Sequence, residues 1–91
     1  MIKSYRSKRL EAFSEGDYSK VDPRSVKVIR MILAALDSAA EIGDLRLPGK
    51  RLHQHKGTDP VRWSLDVSGN WRITFEFDGS HVHSVDYEDP H

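Results

Sequence analysis

The sequence has no cysteine, no long apolar run and no net charge, and each of these absences restricts what the protein can be. Without cysteine, neither a disulfide framework nor a thiolate metal site can form. No apolar stretch approaches the roughly 20 residues that a membrane-spanning helix needs. Residues 1–6 carry a charge every few positions and lack the apolar stretch of a signal peptide. We therefore expect a cytoplasmic protein that does not enter a membrane.

The length of 91 residues is that of one small domain, and we assign residues 1–91 to a single domain. A chain of this size buries only about 60–65% of the surface that its unfolded form exposes. Its core has room for one sheet packed on one or two helices. We therefore expect no separate cofactor domain and no cofactor.

The fourteen basic and fourteen acidic side chains cancel in number but are separated along the chain. Basic residues open the chain and recur in a middle stretch, whereas acidic residues collect near the end. The middle stretch contains Arg46, Lys50, Arg51, Lys56 and Arg62. A positive region of this kind is what binding to a polyanion requires. A solvated surface held by salt bridges would give the same pattern.

Two helices are predicted in the first half of the chain. Residues 7–15 favour a short helix that ends at Gly16. A longer helix begins at Asp22, a good N-cap, followed by Pro23, which suits the first helical position because no amide donor is needed there. Gly43 is placed to stop this helix in a left-handed conformation. Its apolar residues recur at spacings of three and four: Val26, Ile29, Leu33, Leu36 and Ala40.

Strands are predicted on both sides of these helices. Residues 2–6 form a short first strand, and residues 44–60 form mostly loop with room for a short strand at 50–54. Alternating apolar and polar residues predict three further strands at 61–67, 71–77 and 81–87. The order predicts an α+β fold of two layers, in which an N-terminal strand and two helices pack on an antiparallel sheet.

Several polar residues near and on these strands have the chemistry for cleaving RNA without a metal. Such cleavage needs a base for the 2′-hydroxyl proton, cations for the phosphorane and an acid for the leaving oxygen. Histidine titrates in the useful range, and arginine matches the geometry of phosphate. The candidates are His53, His55, Lys56, Arg62, Arg72, Asp86, Glu88, Asp89 and His91. Surface histidines, an Arg72 ion pair with Glu76 or Asp66, and a frayed terminal segment are the ordinary alternatives.

A metal site is the main rival within the same residues. His53-Gln54-His55 and His81-Val82-His83 are two His-x-His pairs, and each pair would project to one face of a strand. Three imidazoles with an aspartate can hold zinc. Because nothing in the sequence fixes the two pairs next to each other, we assign no metal ligands.

Motifs over nearly the whole chain carry a family resemblance. They are Met1-Ile2-Lys3-Ser4, residues 39–45 (AAEIGDL), Leu52-His53, Lys56-Gly57, Trp63-Ser64, residues 70–75 (NWRITF) and residues 86–91 (DYEDPH). In this order and at this length, they resemble HigB toxins of the RelE superfamily, which belong to type II toxin–antitoxin systems. The Asn-Trp-Arg motif, followed by a closing Tyr-x-Asp-x-His type of pattern, is the most specific part.

This resemblance implies a RelE-like fold, a twisted antiparallel sheet carrying two helices. It implies a ribosome-dependent endoribonuclease, an mRNA interferase that cuts the codon in the ribosomal A site. Attack by the 2′-oxygen would leave a 2′,3′-cyclic phosphate, with no metal or cofactor. The implied partners are the ribosome, mRNA and a helix-turn-helix antitoxin of the HigA type. Operator DNA would be bound only indirectly, through the antitoxin.

The resemblance also implies roles for particular residues. His53, in the Leu-His motif, would be the general base, and Arg72 would stabilise the phosphorane. Asp89 would orient a proton-transferring group, and His91 would act as the acid or bind the phosphate. The expected substrate contacts are Lys56, Arg51, Arg62 and Tyr87.

The chain departs from the family pattern at two points. Pro90 stands where these toxins commonly have a tyrosine, and proline has neither a hydroxyl nor a ring that stacks on a base. The net charge is zero, whereas such toxins are usually basic. The alternative function is therefore a RelE-like binding module that holds its antitoxin or the ribosome without cleaving RNA.

Overall fold

Two helices pack on one face of a four-stranded antiparallel sheet in a computed structural model of the chain, which describes residues 1–89. The helices are α1 (Lys8–Ser14) and α2 (Val26–Ser38), with 3-10 turns at Pro23–Ser25 and Ile42–Leu45. The strands are β1 (His53–His55), β2 (Arg62–Asp66), β3 (Arg72–Phe77) and β4 (Val82–Glu88). They lie side by side in chain order, as a meander. The predicted α+β fold of two layers is confirmed.

The short helix α1 begins and ends where the sequence predicts. The side chain of Ser7 accepts a hydrogen bond of 3.2 Å from the backbone N–H of Leu10, which satisfies one of the free donors at the helix start. The helix is followed by Gly16 at φ 101°, a conformation that favours glycine. Leu10 and Phe13 are buried and attach α1 to the core.

The long helix α2 is shorter than predicted. It ends at Ser38, and Ala39 is already extended at φ −64° and ψ 129°. The carboxylate of Asp44 accepts hydrogen bonds from the backbone N–H groups of Ala40 and Glu41, at 2.9 and 3.2 Å. These donors therefore have a partner outside the helix, and Gly43 lies in the following 3-10 turn instead of ending α2.

Within residues 1–89, neither helix has the length and apolar character to cross a membrane.

The core lies between the helices and the inner face of the sheet. The inner face of α2 follows the predicted spacing of three and four residues and is fully or almost fully buried: Ile29, Ile32, Leu33 and Leu36. The sheet contributes buried side chains from three strands: Leu65, Ile73, Phe75, Val82 and Val85. Burying this apolar surface is the main free-energy gain that orders the sheet against the helices.

The N-terminal segment lies beside β4 and runs parallel to it. Ile2 and Tyr5 form isolated bridges with Val82 and Val85. The backbone N–H of Lys3 donates to the carbonyl of Val82 at 2.7 Å. The predicted first strand is therefore two separate bridges, not a regular strand, and it covers the edge of the sheet next to β4.

An extra residue interrupts the pairing of β3 with β4. Thr74 pairs with Asp86, whereas Glu76 pairs with His83, so the register shifts between the two pairs. Ser84 lies inside this bulge and has φ 52°, which is uncommon for a residue with a side chain. Because of the shift, Val82 and Val85 both face the core although they are three positions apart.

Candidate active site

The face of the sheet that points away from the helices carries mostly polar side chains. Strand alternation and the pairing register assign every residue of this face. One row across the sheet is His53, Ser64, Thr74 and Asp86, the next is Asp66, Arg72 and Glu88, and a third is His55, Arg62, Glu76 and His83. This outer face therefore brings together residues that lie up to 35 positions apart in the sequence.

A cleft of about 480 Å³ opens on the outer face, at the β1 side of the sheet. Its walls are Arg51, Leu52, His53, Ser64, Asp66 and Arg72. Two ion pairs at 3.8 Å border it, one between Arg51 and Asp66 and the other between Arg72 and Glu88. The cleft thus combines an imidazole with two guanidinium groups, which are the groups that metal-free RNA cleavage uses.

Two imidazoles stand side by side at the mouth of the cleft. The rings of His53 and His55 have centroids 5.0 Å apart and planes at 79°, an edge-to-face arrangement. His53 is exposed, whereas His55 is half-buried and its Nε2 lies 2.9 Å from the hydroxyl oxygen of Ser64. Burial lowers the pKa of His55, and the positive charge of Arg72 lowers it further. The lowered pKa favours the neutral form of the His55 ring.

Arg72 lines the cleft from β3. Its Nε lies 3.8 Å from a carboxylate oxygen of Glu88, and within residues 1–89 that buried Nε has no hydrogen-bond partner. A buried donor without a partner is costly unless a ligand or water completes it. As a residue of the cleft wall, Arg72 brings a positive charge close to any anion bound there.

Arg62 lies on the same face but is occupied by neighbouring protein groups. Its side chain is only 12% exposed, and it donates to Glu76 at 3.1 Å, to the Thr74 hydroxyl at 2.8 Å and to the Ser84 carbonyl at 2.9 Å. These bonds join β2, β3 and the bulge of β4. The predicted substrate contact of Arg62 does not fit this placement, because most of its donors are already used inside the protein.

Tyr87 lies on the opposite face of the sheet from the cleft. In β4 it alternates with Asp86 and Glu88, so its ring points toward the helices and stacks on Trp71, with centroids 4.5 Å apart. Burial raises the pKa of its hydroxyl, and a hydrogen bond with Ser25 opposes part of this effect. Tyr87 therefore does not face the cleft, and its predicted substrate contact does not fit a substrate bound there.

Of the remaining predicted site residues, Arg51 lines the cleft, and its side chain is 83% exposed. Lys56 is exposed in the turn between β1 and β2. Asp89 is exposed directly after the end of β4. His91 and Pro90 lie outside the described residues.

The two His-x-His pairs do not come together. Because β1 and β4 are separated by two strands, the pairs are about 14 Å apart across the sheet. His83 pairs with Asp78 at 2.7 Å, at the far edge. Among residues 1–89, no three side chains of histidine, aspartate or glutamate are grouped as a metal site.

Four residues in or beside the cleft received no specific role from the sequence. His55 and Glu88 were named as candidates without a role, and Ser64 and Asp66 were not named as candidates. The alternation of polar residues on β2 was visible in the sequence, and it places Arg62, Ser64 and Asp66 on one face. The register that sets Ser64 opposite His53 was not visible, since it depends on how β1 pairs across a loop.

Comparison with known proteins gives the family. The family described as "RelE-like toxin of type II toxin-antitoxin system HigB" matches residues 3–91. The protein named Endoribonuclease HigB from Proteus vulgaris is 41% identical over 92 residues, and the comparison covers 100% of each chain. The match includes all the residues that line the cleft, so the resemblance of the scattered motifs is confirmed over the whole fold. The chain belongs to the HigB-like family, the RelE-like toxins of type II toxin–antitoxin systems.

Proposed function

We propose that this protein is an endoribonuclease that cleaves messenger RNA in the A site of the ribosome and whose toxicity an antitoxin neutralises. The observation that carries the proposal is the cleft, where His53 and Arg72 face one space large enough for a nucleotide. Family membership supports the toxin role, and the name of the Proteus vulgaris relative supports the reaction. The site of action is then the cytoplasm, where ribosomes translate.

In the proposed reaction, His53 takes the proton of the 2′-hydroxyl that precedes the scissile phosphate. The 2′-oxygen forms a bond to phosphorus while the bond from phosphorus to the 5′-oxygen breaks. The leaving 5′-oxygen takes a proton, so the products are a 2′,3′-cyclic phosphate and a 5′-hydroxyl. Arg72 stabilises the charge that develops on the phosphorane, because its cationic side chain forms part of the cleft wall.

We assign RNA binding and proton transfer to the leaving group to four further residues. Arg51 and Lys56 are exposed on the β1 side, and we assign to them contacts with the RNA backbone. We assign to Asp89 the orientation of a proton-transferring group and to His91 the acid or a phosphate contact. No step in this scheme requires a metal or a cofactor.

The proposed partners follow from the toxin role. A helix-turn-helix antitoxin of the HigA type would hold the toxin inactive, and the complex would bind operator DNA through the antitoxin. If such an antitoxin is the partner, expression of this chain alone should arrest growth, and co-expression of the antitoxin should restore growth.

The experiment is cleavage of a defined mRNA on purified translating ribosomes, mapped by primer extension. We expect wild-type protein to cut in the A-site codon and His53→Ala to cut about 10²–10⁴ times more slowly, which is the range for loss of a general base. Arg72→Ala should also lose cleavage, whereas His83→Ala, on the same face but outside the cleft, should cleave like wild type. If wild-type protein binds ribosomes and cuts no codon, it is the binding module instead.

A further inference from the structure

The proposed general base has little that fixes its ring. His53 is exposed on an edge strand, and no hydrogen bond from another group in residues 1–89 holds its imidazole. The aromatic partner of its ring is His55, edge to face at 5.0 Å. A general base acts only when its nitrogen is within hydrogen-bond reach of the proton that it removes. Within residues 1–89, the contact with His55 is therefore the one that can orient the His53 ring.

His55 is fixed by a buried hydroxyl. Its Nε2 lies 2.9 Å from the hydroxyl oxygen of Ser64, which is only 3% exposed and lies on the central strand β2. Ser64 is also directly opposite His53 in the pairing of β1 with β2. The Ser64 hydroxyl, the His55 ring and the His53 ring thus form a short chain of contacts from the interior of the sheet to the cleft.

The charges around His55 favour a neutral ring in this position. Four groups face it from the four strands: His53 of β1, Arg62 of β2, Arg72 of β3 and Glu88 of β4. Burial and the nearby cations lower the pKa of His55, and Glu88 opposes this. A neutral ring can stay next to His53 while His53 carries the proton during the reaction, because two adjacent positive charges are avoided.

We propose that His55, held by the Ser64 hydroxyl, is a positioning residue that keeps the imidazole of His53 aimed into the cleft. This inference rests on the proposed nuclease function and adds a residue pair to it. His55 itself takes no proton from the substrate. Its effect is on the geometry of His53, so it acts on the chemical step and not on RNA binding.

The test compares variants of this pair in ribosome-dependent cleavage at neutral pH, with kcat and KM measured separately. We expect His55→Leu to lower kcat about tenfold to a hundredfold, the cost of a base displaced by about an ångström, with KM within about twofold. Ser64→Ala should lower kcat less, because the His55 ring remains but is free to turn. His55→Phe keeps a ring against His53 without the bond to Ser64, and it should therefore match Ser64→Ala and not His55→Leu.

Two further comparisons separate positioning from a general loss of structure. Adding Ser64→Ala to His55→Leu should give no further loss of kcat, since both changes break the same chain of contacts. His83→Leu removes an imidazole from the same face at the far edge and should leave kcat unchanged. Thermal unfolding of each variant shows whether it is folded at the assay temperature.

The outcomes distinguish this inference from the proposed function. If wild-type protein does not cleave, the nuclease proposal fails and takes the inference with it. If wild-type protein cleaves and His55→Leu, folded, has the same kcat, only the positioning role is overturned. A rise in KM with an unchanged kcat would also overturn it, because His55 would then be a contact for RNA.

Discussion

The sharpest prediction concerns Arg62, because sequence and structure assign it different roles. The sequence places it among the basic residues that would contact RNA. In the structure, its guanidinium instead joins β2 to Glu76 and Thr74 of β3 and to the carbonyl of Ser84 in the bulge. Arg62→Met should therefore destabilise the fold and leave the chemistry of the remaining folded molecules unchanged.

The magnitude follows from burial. The side chains of Arg62 and Glu76 are only 12% and 21% exposed, and removal of one partner of a buried ion pair costs about 3–5 kcal/mol. Glu76 keeps some contact with water, and Arg6 lies 4.0 Å from it, so the lower end of that range, about 3 kcal/mol, applies. For a domain of this size, each kcal/mol shifts Tm by about 4–8 °C, so Tm should fall by about 12–24 °C.

Arg51→Met is the matched control. Arg51 is 83% exposed and lies 3.8 Å from Asp66, and such surface pairs contribute under about 1 kcal/mol. We expect this variant to keep its Tm within a few degrees but to raise KM for ribosome-bound mRNA. Arg62→Met should show the reverse: a large loss of Tm, and an unchanged KM when it is measured at a temperature where the variant is folded.

The assay is thermal unfolding by circular dichroism, paired with cleavage kinetics at a temperature where both variants are folded. A loss of Tm below about 4 °C in Arg62→Met would refute the reasoning, because the buried pair would then contribute almost nothing. A KM that rises as much as in Arg51→Met would refute the assignment of Arg62 to the scaffold.

Two further predictions test the turn at the far edge and the face behind the cleft. Hydrogen bonds from the backbone of His81, then from the His83 ring and the Ser80 backbone, hold the pKa of Asp78 well below its usual range. The stabilisation that accompanies this lowered pKa is fully present above about pH 3.9, the pKa of an aspartate in the unfolded chain. It is lost as the pH falls below that value toward the pKa in the folded state. In urea unfolding, Asp78→Asn should therefore have a lower free energy of unfolding than wild type at pH 7, and this difference should shrink below about pH 4. A difference that does not change with pH would contradict this. Tyr87→Phe keeps the stack on Trp71 and loses only the hydroxyl bond to Ser25, so we expect about 1 kcal/mol of destabilisation and unchanged cleavage. Loss of cleavage in that variant would mean that the hydroxyl contacts RNA.

The elements that the sequence predicted well are those defined by local chemistry. Ser7 and Gly16 mark the ends of α1, and the alternation of apolar and polar residues predicts β2, β3 and β4 within a residue or two at each end. These signals depend on neighbours a few positions away. The end of α2 was predicted too late, because a carboxylate at Asp44 captures the N–H groups that would have continued the helix.

The candidate site was predictable in part. His53 and Arg72 were selected from motifs, and the structure brings both to one cleft. Arg62 and Tyr87 were selected for their chemistry, but their roles depend on burial and on which face of a strand they occupy. Neither can be seen without the pairing register of the strands, since a shift by one residue exchanges the faces. His55 was named as a candidate but received no role, for the same reason.

The bulge at Ser84 determines which side chains the last strand offers to solvent. If the same seven residues of β4 ran with regular alternation from Val82 and no bulge, Asp86 and Glu88 would face the helices and Tyr87 would point outward. Two carboxylates would then enter an apolar interior, and Arg72 would lose the acidic neighbour at its side. The bulge therefore keeps the terminal half of β4 in its present orientation, and a change that straightened the strand without removing a residue would turn that half inside out.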